Sequence, residues 1–201
     1  MPKLCVPSSV VLASASPRRR ELLKKVISEF IVDPADLDED ALTLNDPYET
    51  AVALAVAKAE CVARRHISPF VIGSDTIVAL PRGDGSFKQF GKPRDFDEAF
   101  DFLNELCGKT HLVITGVAII TPYKSVCAHA VAEVEFNSVS HAQLNDYIQT
   151  GEPMDKAGAY GAQGMGAFLV KEIRGDFETV VGLPTELLRN MLQAIDYPFE
   201  S

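Results

Sequence analysis

The sequence predicts an α/β protein built on a mixed β-sheet, and three observations lead to this prediction. Short apolar strands alternate with helical patterns along the whole chain, as is typical of α/β folds. Turn signals such as Gly-Asp-Gly-Ser at residues 83–86 interrupt that order with hairpins, so some strands must run antiparallel. The length of 201 residues and the apolar fraction of 47% are those of an ordinary globular protein, and we expect a single domain over residues 1–201.

The first third of the chain predicts strand, helix, strand and long helix. An apolar run at residues 10–12 predicts the first strand. Ser16 followed by Pro17 marks the start of a helix, because serine caps helix N-termini and proline suits the first helical position. A second strand near residues 29–33 precedes an alanine-rich helix over residues 45–66.

The remaining elements follow from the same rules for caps, stops and alternation. A strand over 70–80 is followed by a helix that has a capping box of Asp95 and Glu98 and stops at Gly108. Strands over 111–121 and 126–139 come next, and then a helix that is capped by Ser140 and Gln143 and ends at Gly151. The chain finishes with a glycine-rich loop, two strands that turn at 174–176, and a last helix that begins at Pro184.

Composition and charge exclude several classes of protein. The net charge of −9 argues against broad electrostatic binding of nucleic acid or of a membrane surface. No apolar run approaches the ~20 residues that a membrane span needs. The four cysteines lack Cys-x-x-Cys spacing and the four histidines are scattered. We therefore expect reduced thiols, no zinc site and a cytoplasmic location.

Three consecutive arginines occupy a place that a helix does not favour. Arg18, Arg19 and Arg20 lie in the first turn after Ser16 and Pro17, where unsatisfied N–H groups and the helix dipole favour acidic side chains. A bound anion would offset this charge, and phosphate binds readily at helix N-termini. The alternative is a solvated basic turn whose arginines pair with acidic residues elsewhere.

Two lysines are candidate ligands for the same anion. Lys58 shares the inward face of its helix with Ala51 and Ala55, where it either lays its stem over apolar surface or reaches a phosphate. Lys92 closes the hairpin that begins after the strand over 70–80 and could fold back toward that strand. Its spacing alone fits an exposed turn lysine equally well.

Asp75 breaks the pattern of an apolar strand. A carboxylate in such a strand must be paired or bind a cation. Alternation places Asp75 on the same side as Gly73, whereas Ser74 and Thr76 point to the opposite side. We expect Gly73 to leave space beside the carboxylate for a ligand or a metal. The alternative is a structural aspartate that is hydrogen-bonded to a neighbouring loop or to a buried lysine.

The glycine-rich loop over residues 153–166 is a further candidate for ligand contact. Its glycines permit close approach of the backbone to a ligand, and Lys156, Tyr160 and Gln163 supply polar side chains. A surface connection is the alternative, but so apolar a loop is more typical of chain packed around something.

Five segments taken together resemble one known family. They are Leu-Ala-Ser-Ala-Ser-Pro-Arg-Arg at 12–19, Ile-Gly-Ser-Asp-Thr-Ile-Val at 72–78, Gly-Lys-Pro-Arg-Asp at 91–95, Gly-Glu-Pro-Met-Asp-Lys-Ala-Gly-Ala-Tyr-Gly at 151–161, and Val-Val-Gly-Leu-Pro at 180–184. In these segments the chain resembles the Maf family of nucleoside triphosphate pyrophosphatases. The segments occur in order over nearly the whole chain.

The resemblance implies an ITPase/Maf-like fold, with an elongated mixed sheet flanked by helices and two lobes around a central nucleotide-binding cleft. It implies hydrolysis of a nucleoside triphosphate to the monophosphate and pyrophosphate with a divalent cation, Mg²⁺ or alternatively Mn²⁺. The family's functional positions fall on Asp75 as the general base, on Glu39 as the metal-associated residue, and on four phosphate- and charge-binding residues: Ser14, Arg18, Lys58 and Lys92. Beside these, we expect Asp75 to contact the metal as well and Arg19 to support the phosphates. A homodimer is a family-level expectation.

The resemblance also extends to the subgroup that acts on dTTP and UTP. Members of that subgroup share Arg18, Thr76 and Gln163, together with Lys156 in Asp-Lys-Ala-Gly. Ala162 departs from the family pattern, which commonly has a larger aliphatic residue there. The alternative function is a nucleotide-sensing module, for example in cell-division control, which binds without turnover. An RNA- or DNA-binding role for the arginines fits poorly with the acidic net charge.

Overall fold

The computed structural model describes residues 10–67 and 70–197, and its centre is one mixed β-sheet. Within these ranges the strands are β1 Val10–Leu12, β2 Ile31–Val32, β3 Phe70–Pro81, β4 Phe87–Phe90, β5 Thr110–Ile120, β6 Ser125–Phe136 and β7 Val170–Arg174. Their order is β2-β1-β3-β5-β6-β7, and β4 also pairs with β3. β1 runs parallel to β2 and β3, while the other pairs are antiparallel. The predicted mixed α/β sheet is confirmed.

The described helices flank this sheet and mostly begin at the predicted caps. They are α1 Pro17–Lys24, α2 Pro47–Ala63, α3 Phe96–Leu106, α4 His141–Gln149, α5 Phe177–Val181 and α6 Thr185–Ala194. Ser16 accepts a hydrogen bond from the backbone N–H of Arg19, and Ser140 and Gln143 form the expected reciprocal capping box. None of the helices in the described ranges is long and apolar enough to cross a membrane.

Two predictions about local structure are wrong. Residues 174–176 do not join two strands, because Asp176 caps α5 by accepting hydrogen bonds from the backbone N–H groups of Glu178 and Thr179. The capping box at α3 is only half formed. Asp95 accepts the backbone N–H of Glu98, but the Glu98 carboxylate turns back to the backbone and guanidinium of Arg94.

Helix α2 packs unusually close to the sheet because two glycines face it. A side chain at Gly73 would clash with the backbone of Ala55, and one at Gly116 would clash with that of Ala51. The expectation that Gly73 leaves space for a ligand is therefore wrong. The space is filled by α2, and the close approach brings Lys58 of that helix to the sheet.

A gap in one edge of β3 is the feature that positions the functional residues. β5 covers one edge along residues 71–79. On the other edge, β1 pairs with residues 70–72 and β4 with residues 78–81. Residues 73–77 therefore have no neighbouring strand on that edge among the described residues, and Asp75 and Thr76 lie in this gap.

Two apolar clusters lie on either side of the gap. One surrounds the start of β3 and includes Leu12 of β1, Leu23 of α1 and Leu192 of α6. The other surrounds the end of β3 and includes Leu103 of α3 and Leu144 of α4. Because each cluster is held by its own helices, the gap between them remains open as a cleft. This arrangement corresponds to the two lobes expected from the sequence.

Candidate active site

The cleft at the gap in β3 has a volume of about 710 Å³, which lies in the range of about 300–1,000 Å³ typical of small-molecule sites. Its walls come from the β1–α1 connection, α2, the middle of β3, the end of β4 and the glycine-rich segment. All of the predicted site residues line this cleft: Ser14, Arg18, Arg19, Glu39, Lys58, Asp75, Thr76, Lys92, Lys156 and Gln163.

Lys58 joins the two candidate acidic residues. Its ammonium group donates to Asp75 Oδ1 and lies 2.9 Å from Glu39 Oε1. The side chains of Lys58 and Asp75 are only 9% and 7% exposed, so each charge is compensated by the other in a poorly hydrated place. Sequence reasoning left open whether Lys58 lays its stem over apolar surface or reaches a phosphate; in this structure its partners are the two carboxylates.

Glu39 is the more accessible member of this cluster. Burial by itself would raise the pKa of Glu39, but the Lys58 ammonium, with weaker help from Lys92 and Arg19, outweighs it and lowers the pKa. Lys92 Nζ lies 3.8 Å from Glu39 Oε1, and its side chain is 57% exposed. Lys92 therefore folds back toward the strand that carries Asp75, which is one of the two alternatives that the sequence allowed. Its ammonium group stays at the opening of the cleft.

The two carboxylates offer a partial site for a hard divalent cation. Among the described residues, no protein group donates a hydrogen bond to Asp75 Oδ2 or to Glu39 Oε2. The described residues contain no group of three or more acidic, histidine or cysteine side chains that could hold a metal. This donor set fits Mg²⁺, which is usually bound through one or two carboxylates, with waters and substrate oxygens completing the shell.

The three arginines have different surroundings. Arg20 is exposed to solvent, whereas Arg18 Nη1 lies 3.7 Å from Asp155 Oδ2 across the cleft. Arg19 is held by protein atoms: its Nε donates to the Gly182 carbonyl at 2.9 Å. Burial is the main reason that the pKa of Arg19 is lowered, although Asp75 and Glu39 act in the opposite direction.

Arg19 also enters a network of hydroxyl groups on the sheet face opposite α2. One guanidinium nitrogen donates to Thr76 Oγ1 at 3.1 Å, and another lies 3.4 Å from Ser14 Oγ. Thr76 Oγ1 shares a hydrogen bond of 2.9 Å with Thr115. Because Asp75 bonds to Lys58 on the α2 side, the predicted alternation of side chains along β3 is confirmed.

The glycine-rich segment differs from a loop with adaptable side chains. Lys156 is 12% exposed and binds Asp155 and the Glu152 carbonyl within its own segment. Tyr160 points its hydroxyl into the core, where it lies 2.9 Å from His111 Nε2, and burial raises the pKa of Tyr160. The hydroxyl of Tyr160 is therefore not an adaptable ligand contact, whereas Gln163 remains exposed at the cleft.

The family follows from a comparison of the whole chain with known proteins. Residues 9–195 match the family model described as Maf-like protein. The chain belongs to the Maf family. The resemblance in the five sequence segments is thereby confirmed.

Three curated relatives of this Maf protein share one name. A dTTP/UTP pyrophosphatase of Symbiobacterium thermophilum is 43% identical over 189 residues, covering 94% of this chain and 95% of the relative. Those of Thermococcus kodakarensis and Aquifex aeolicus are 46% and 41% identical, covering 89% and 93% of this chain and 93% and 95% of the relatives.

A solved structure confirms the fold class. The Ham1 protein of Staphylococcus aureus aligns with a TM-score of 0.51 at 14% identity, covering 94% of this chain and 100% of that protein. At this identity the likeness shows a shared α/β fold.

Sequence reasoning missed several residues around the cleft of this Maf protein. Glu152 and Asp155 line it, and Thr115 and Gly182 hold the groups behind it. Thr115 lies in the middle of a strand and carries no local signal. Gly182 lies in the family segment at 180–184, but nothing in that segment indicates that its carbonyl holds Arg19. Glu152 lies in Gly-Glu-Pro directly before the glycine-rich segment, where a carboxylate close to many free backbone N–H groups could have been noticed.

Proposed function

We propose that this Maf protein hydrolyses dTTP, UTP and related modified pyrimidine nucleoside triphosphates to the monophosphate and pyrophosphate. The observation that carries the proposal is the cluster of Asp75, Glu39 and Lys58 in the gap of β3, with Arg18 and Lys92 beside it in one cleft. Carboxylates for water and metal next to cations for phosphate are what this reaction needs. The names of relatives 41–46% identical to the chain agree with it.

The cations of the cleft bind and orient the triphosphate. Arg18, through its guanidinium and its backbone N–H, and Lys92 face the phosphates, and Ser14 adds a hydroxyl. Arg19 supports this wall from behind, because its guanidinium is already engaged by Ser14, Thr76 and Gly182. Pairing phosphate oxygens with these cations offsets the negative charge that would otherwise repel a nucleophile.

Asp75 acts as the general base. A water molecule attacks the α-phosphorus, its proton passes to Asp75 Oδ2, and the bond to the β-phosphate oxygen breaks, so that pyrophosphate leaves in line. Lys58 holds Asp75 through Oδ1, which leaves Oδ2 for the proton of the water. Glu39 and Asp75 would hold a divalent cation, Mg²⁺ or Mn²⁺, which supplies positive charge for the phosphates when bound.

The apolar half of the cleft receives the nucleoside. Met154, Ala157, Val180 and Val181 line it, and such side chains suit the faces of a base. Gln163 has both a donor and an acceptor, so it can pair with the O4/N3 edge of uracil or thymine. Ala162 also lines this cleft, with a small side chain.

The proposed partners are few. The substrate is a nucleoside triphosphate, and the net charge of −9 supports neither a nucleic-acid nor a membrane partner. We propose a cytoplasmic protein, because that is where the substrate and Mg²⁺ are available. A homodimer is part of the proposal, and light scattering during gel filtration tests it.

Release of pyrophosphate tests the proposed function. The protein is incubated with dTTP, UTP, dCTP, dATP and dGTP, each with Mg²⁺ or with Mn²⁺. We expect turnover of dTTP and UTP well above that of the purine nucleotides. If the protein turns over none of them but calorimetry detects tight binding of dTTP, the protein is a nucleotide sensor instead. Turnover of purine nucleotides alone would refute the proposed substrate class.

A further inference from the structure

Glu152 lies at the cleft but directs its carboxylate into the protein. It begins the 3-10 helix Glu152–Asp155. Its Oε2 accepts the backbone N–H of Met165 at 3.1 Å, and its Oε1 accepts that of Gly166, also at 3.1 Å. These two N–H groups belong to the far side of the glycine-rich segment. The carboxylate thus ties the two ends of that segment together.

Tyr147 of α4 completes the arrangement. Its hydroxyl donates to Glu152 Oε1 at 3.0 Å and accepts the backbone N–H of Gly161 at 3.1 Å. The Tyr147 side chain is buried, and this burial is the main reason that the pKa of its hydroxyl is raised. Three backbone N–H groups of the segment, at residues 161, 165 and 166, are therefore held by one carboxylate and one phenol.

The glycines show how tightly the segment is wrapped around these two groups. A Cβ at Gly166 would lie 2.5 Å from the Tyr147 hydroxyl and 2.6 Å from the Gly161 carbonyl. Gly164 has φ +82°, and a Cβ there would lie 3.0 Å from Glu152 Oε2. Positive φ and such close approach both favour glycine. The segment has this shape because the carboxylate and the phenol occupy its centre.

The Glu152 carboxylate is fully engaged in this role. Burial would raise the pKa of Glu152, but the N–H groups of Met165 and Gly166, together with the Tyr147 hydroxyl and the charge of Lys156, outweigh burial and lower it. Both oxygens already accept hydrogen bonds from the protein, unlike Asp75 Oδ2 and Glu39 Oε2. Glu152 therefore differs from the two acidic residues that remain available to a cation.

We propose that Glu152 and Tyr147 are positioning residues that fix the shape of residues 161–166 and thereby hold Gln163 in register with the base of the substrate. Gln163 lies between the tied positions 161 and 165, and its own side chain is exposed. Its place in the cleft is therefore set by the backbone of the segment. The proposal rests on the proposed function, because it concerns how that substrate is selected.

Glu152→Gln and Tyr147→Phe test this inference. The amide introduced at position 152 would place a donor against a backbone N–H, and the phenyl ring at position 147 would leave the N–H of Gly161 without its acceptor. We expect Glu152→Gln to lower the ratio of kcat/KM for dTTP over dATP by about tenfold, mainly through a higher KM for dTTP. Tyr147→Phe should act in the same direction. Glu186→Gln, at an exposed carboxylate on α6, is the matched control and should change neither value.

A double-mutant cycle and hydrogen exchange separate this role from others. Because the two residues form one network, their effects should not multiply. The double variant Glu152→Gln/Tyr147→Phe should change the ratio of kcat/KM for dTTP over dATP by much less than the product of the two single effects. The amides of residues 161, 165 and 166 should exchange slowly in the unmodified protein and at least about tenfold faster in Glu152→Gln. Exchange needs no turnover, so it tests the positioning even if the protein hydrolyses no nucleotide.

Three results would overturn the inference. One is an unchanged dTTP/dATP ratio in a folded Glu152→Gln variant. Another is an equal loss of kcat for every nucleotide at constant KM, which would make Glu152 part of the chemistry. The third is unchanged amide exchange at the three positions. Absence of turnover by the unmodified protein would refute the proposed function but not the positioning that exchange detects.

Discussion

Arg18 and Asp155 face each other across the nucleotide cleft, with Nη1 of the arginine 3.7 Å from Oδ2 of the aspartate. The two side chains are 32% and 64% exposed, so water screens the pair and its strength is modest. A phosphate group would carry more charge than Asp155 and could take over Arg18. Asp155 therefore competes with the substrate that we propose for this site.

Asp155→Asn should release Arg18 for the phosphates. We expect the KM for dTTP to fall by up to about fivefold, since a pair of this exposure contributes at most about 1 kcal/mol, while kcat stays unchanged. Steady-state kinetics measures KM and kcat for dTTP. Asp101→Asn, which changes an exposed aspartate of α3, is the control. A higher KM would mean that Asp155 aids substrate binding, either directly or through Lys156, which it also binds.

Asp75→Asn should remove turnover and spare binding. Asparagine keeps the size of the side chain but cannot take a proton from water, so we expect kcat for dTTP to fall by about 10²–10⁴-fold. Calorimetry should still detect dTTP binding, and thermal unfolding checks that the variant is folded. An active Asp75→Asn variant would remove Asp75 from the role of base.

Gln163→Glu should impair the use of pyrimidine nucleotides. A carboxylate cannot donate a hydrogen bond to O4 of the base, so we expect kcat/KM for dTTP and UTP to fall by about tenfold or more. The position is exposed, and the fold should be unaffected. Gln193→Glu, at an exposed position of α6, serves as control. An unchanged order of substrates would contradict base recognition by Gln163.

Arg19→Lys should lower stability although it keeps the positive charge. One ammonium group cannot replace the guanidinium contacts with Gly182, Ser14 and Thr76. We expect the free energy of unfolding in urea to fall by about 1–3 kcal/mol. Arg20→Lys, at the exposed neighbouring position, should stay within about 0.5 kcal/mol. Equal effects of the two substitutions would show that the Arg19 contacts contribute little.

His111 should make stability depend on pH. Burial lowers the pKa of His111 to about 4 from its ordinary 6.5, so the unfolded chain binds a proton more readily than the folded one. The resulting stability is fully present above pH 6.5 and is lost as pH falls toward 4, by about 3 kcal/mol in total. His111 is fully buried.

Urea unfolding between about pH 4 and 7 measures this dependence. His111→Phe keeps an aromatic ring against Phe136 but cannot titrate. The free energy of unfolding of this variant should therefore change less with pH over that range. His141→Gln, at an exposed histidine, should retain the slope of the unmodified protein. A slope that survives in His111→Phe would assign the dependence to other groups.

Local rules predicted most of the secondary structure, and their failures have physical causes. Ser140 and Gln143 form their capping box because both partners lie within one turn. Glu98 leaves the box at Asp95 because the adjacent guanidinium of Arg94 offers a charged donor as well as a backbone N–H. Asp176 caps a helix where a strand was expected, since the turn sequence alone does not distinguish the two continuations.

The sequence by itself determined the α/β class, the family and the residues that carry charge at the site. These depend on hydrogen bonds within a turn, on the alternation along strands and on segments that recur within a family. Only the tertiary structure decided which role each of those residues has. Three arrangements join residues that are far apart in the chain. They are the close approach of α2 at Gly73, the hydrogen bonds of Arg19, and the wrapping of the glycine-rich segment around Glu152. Such contacts depend on packing in three dimensions, which no local pattern encodes.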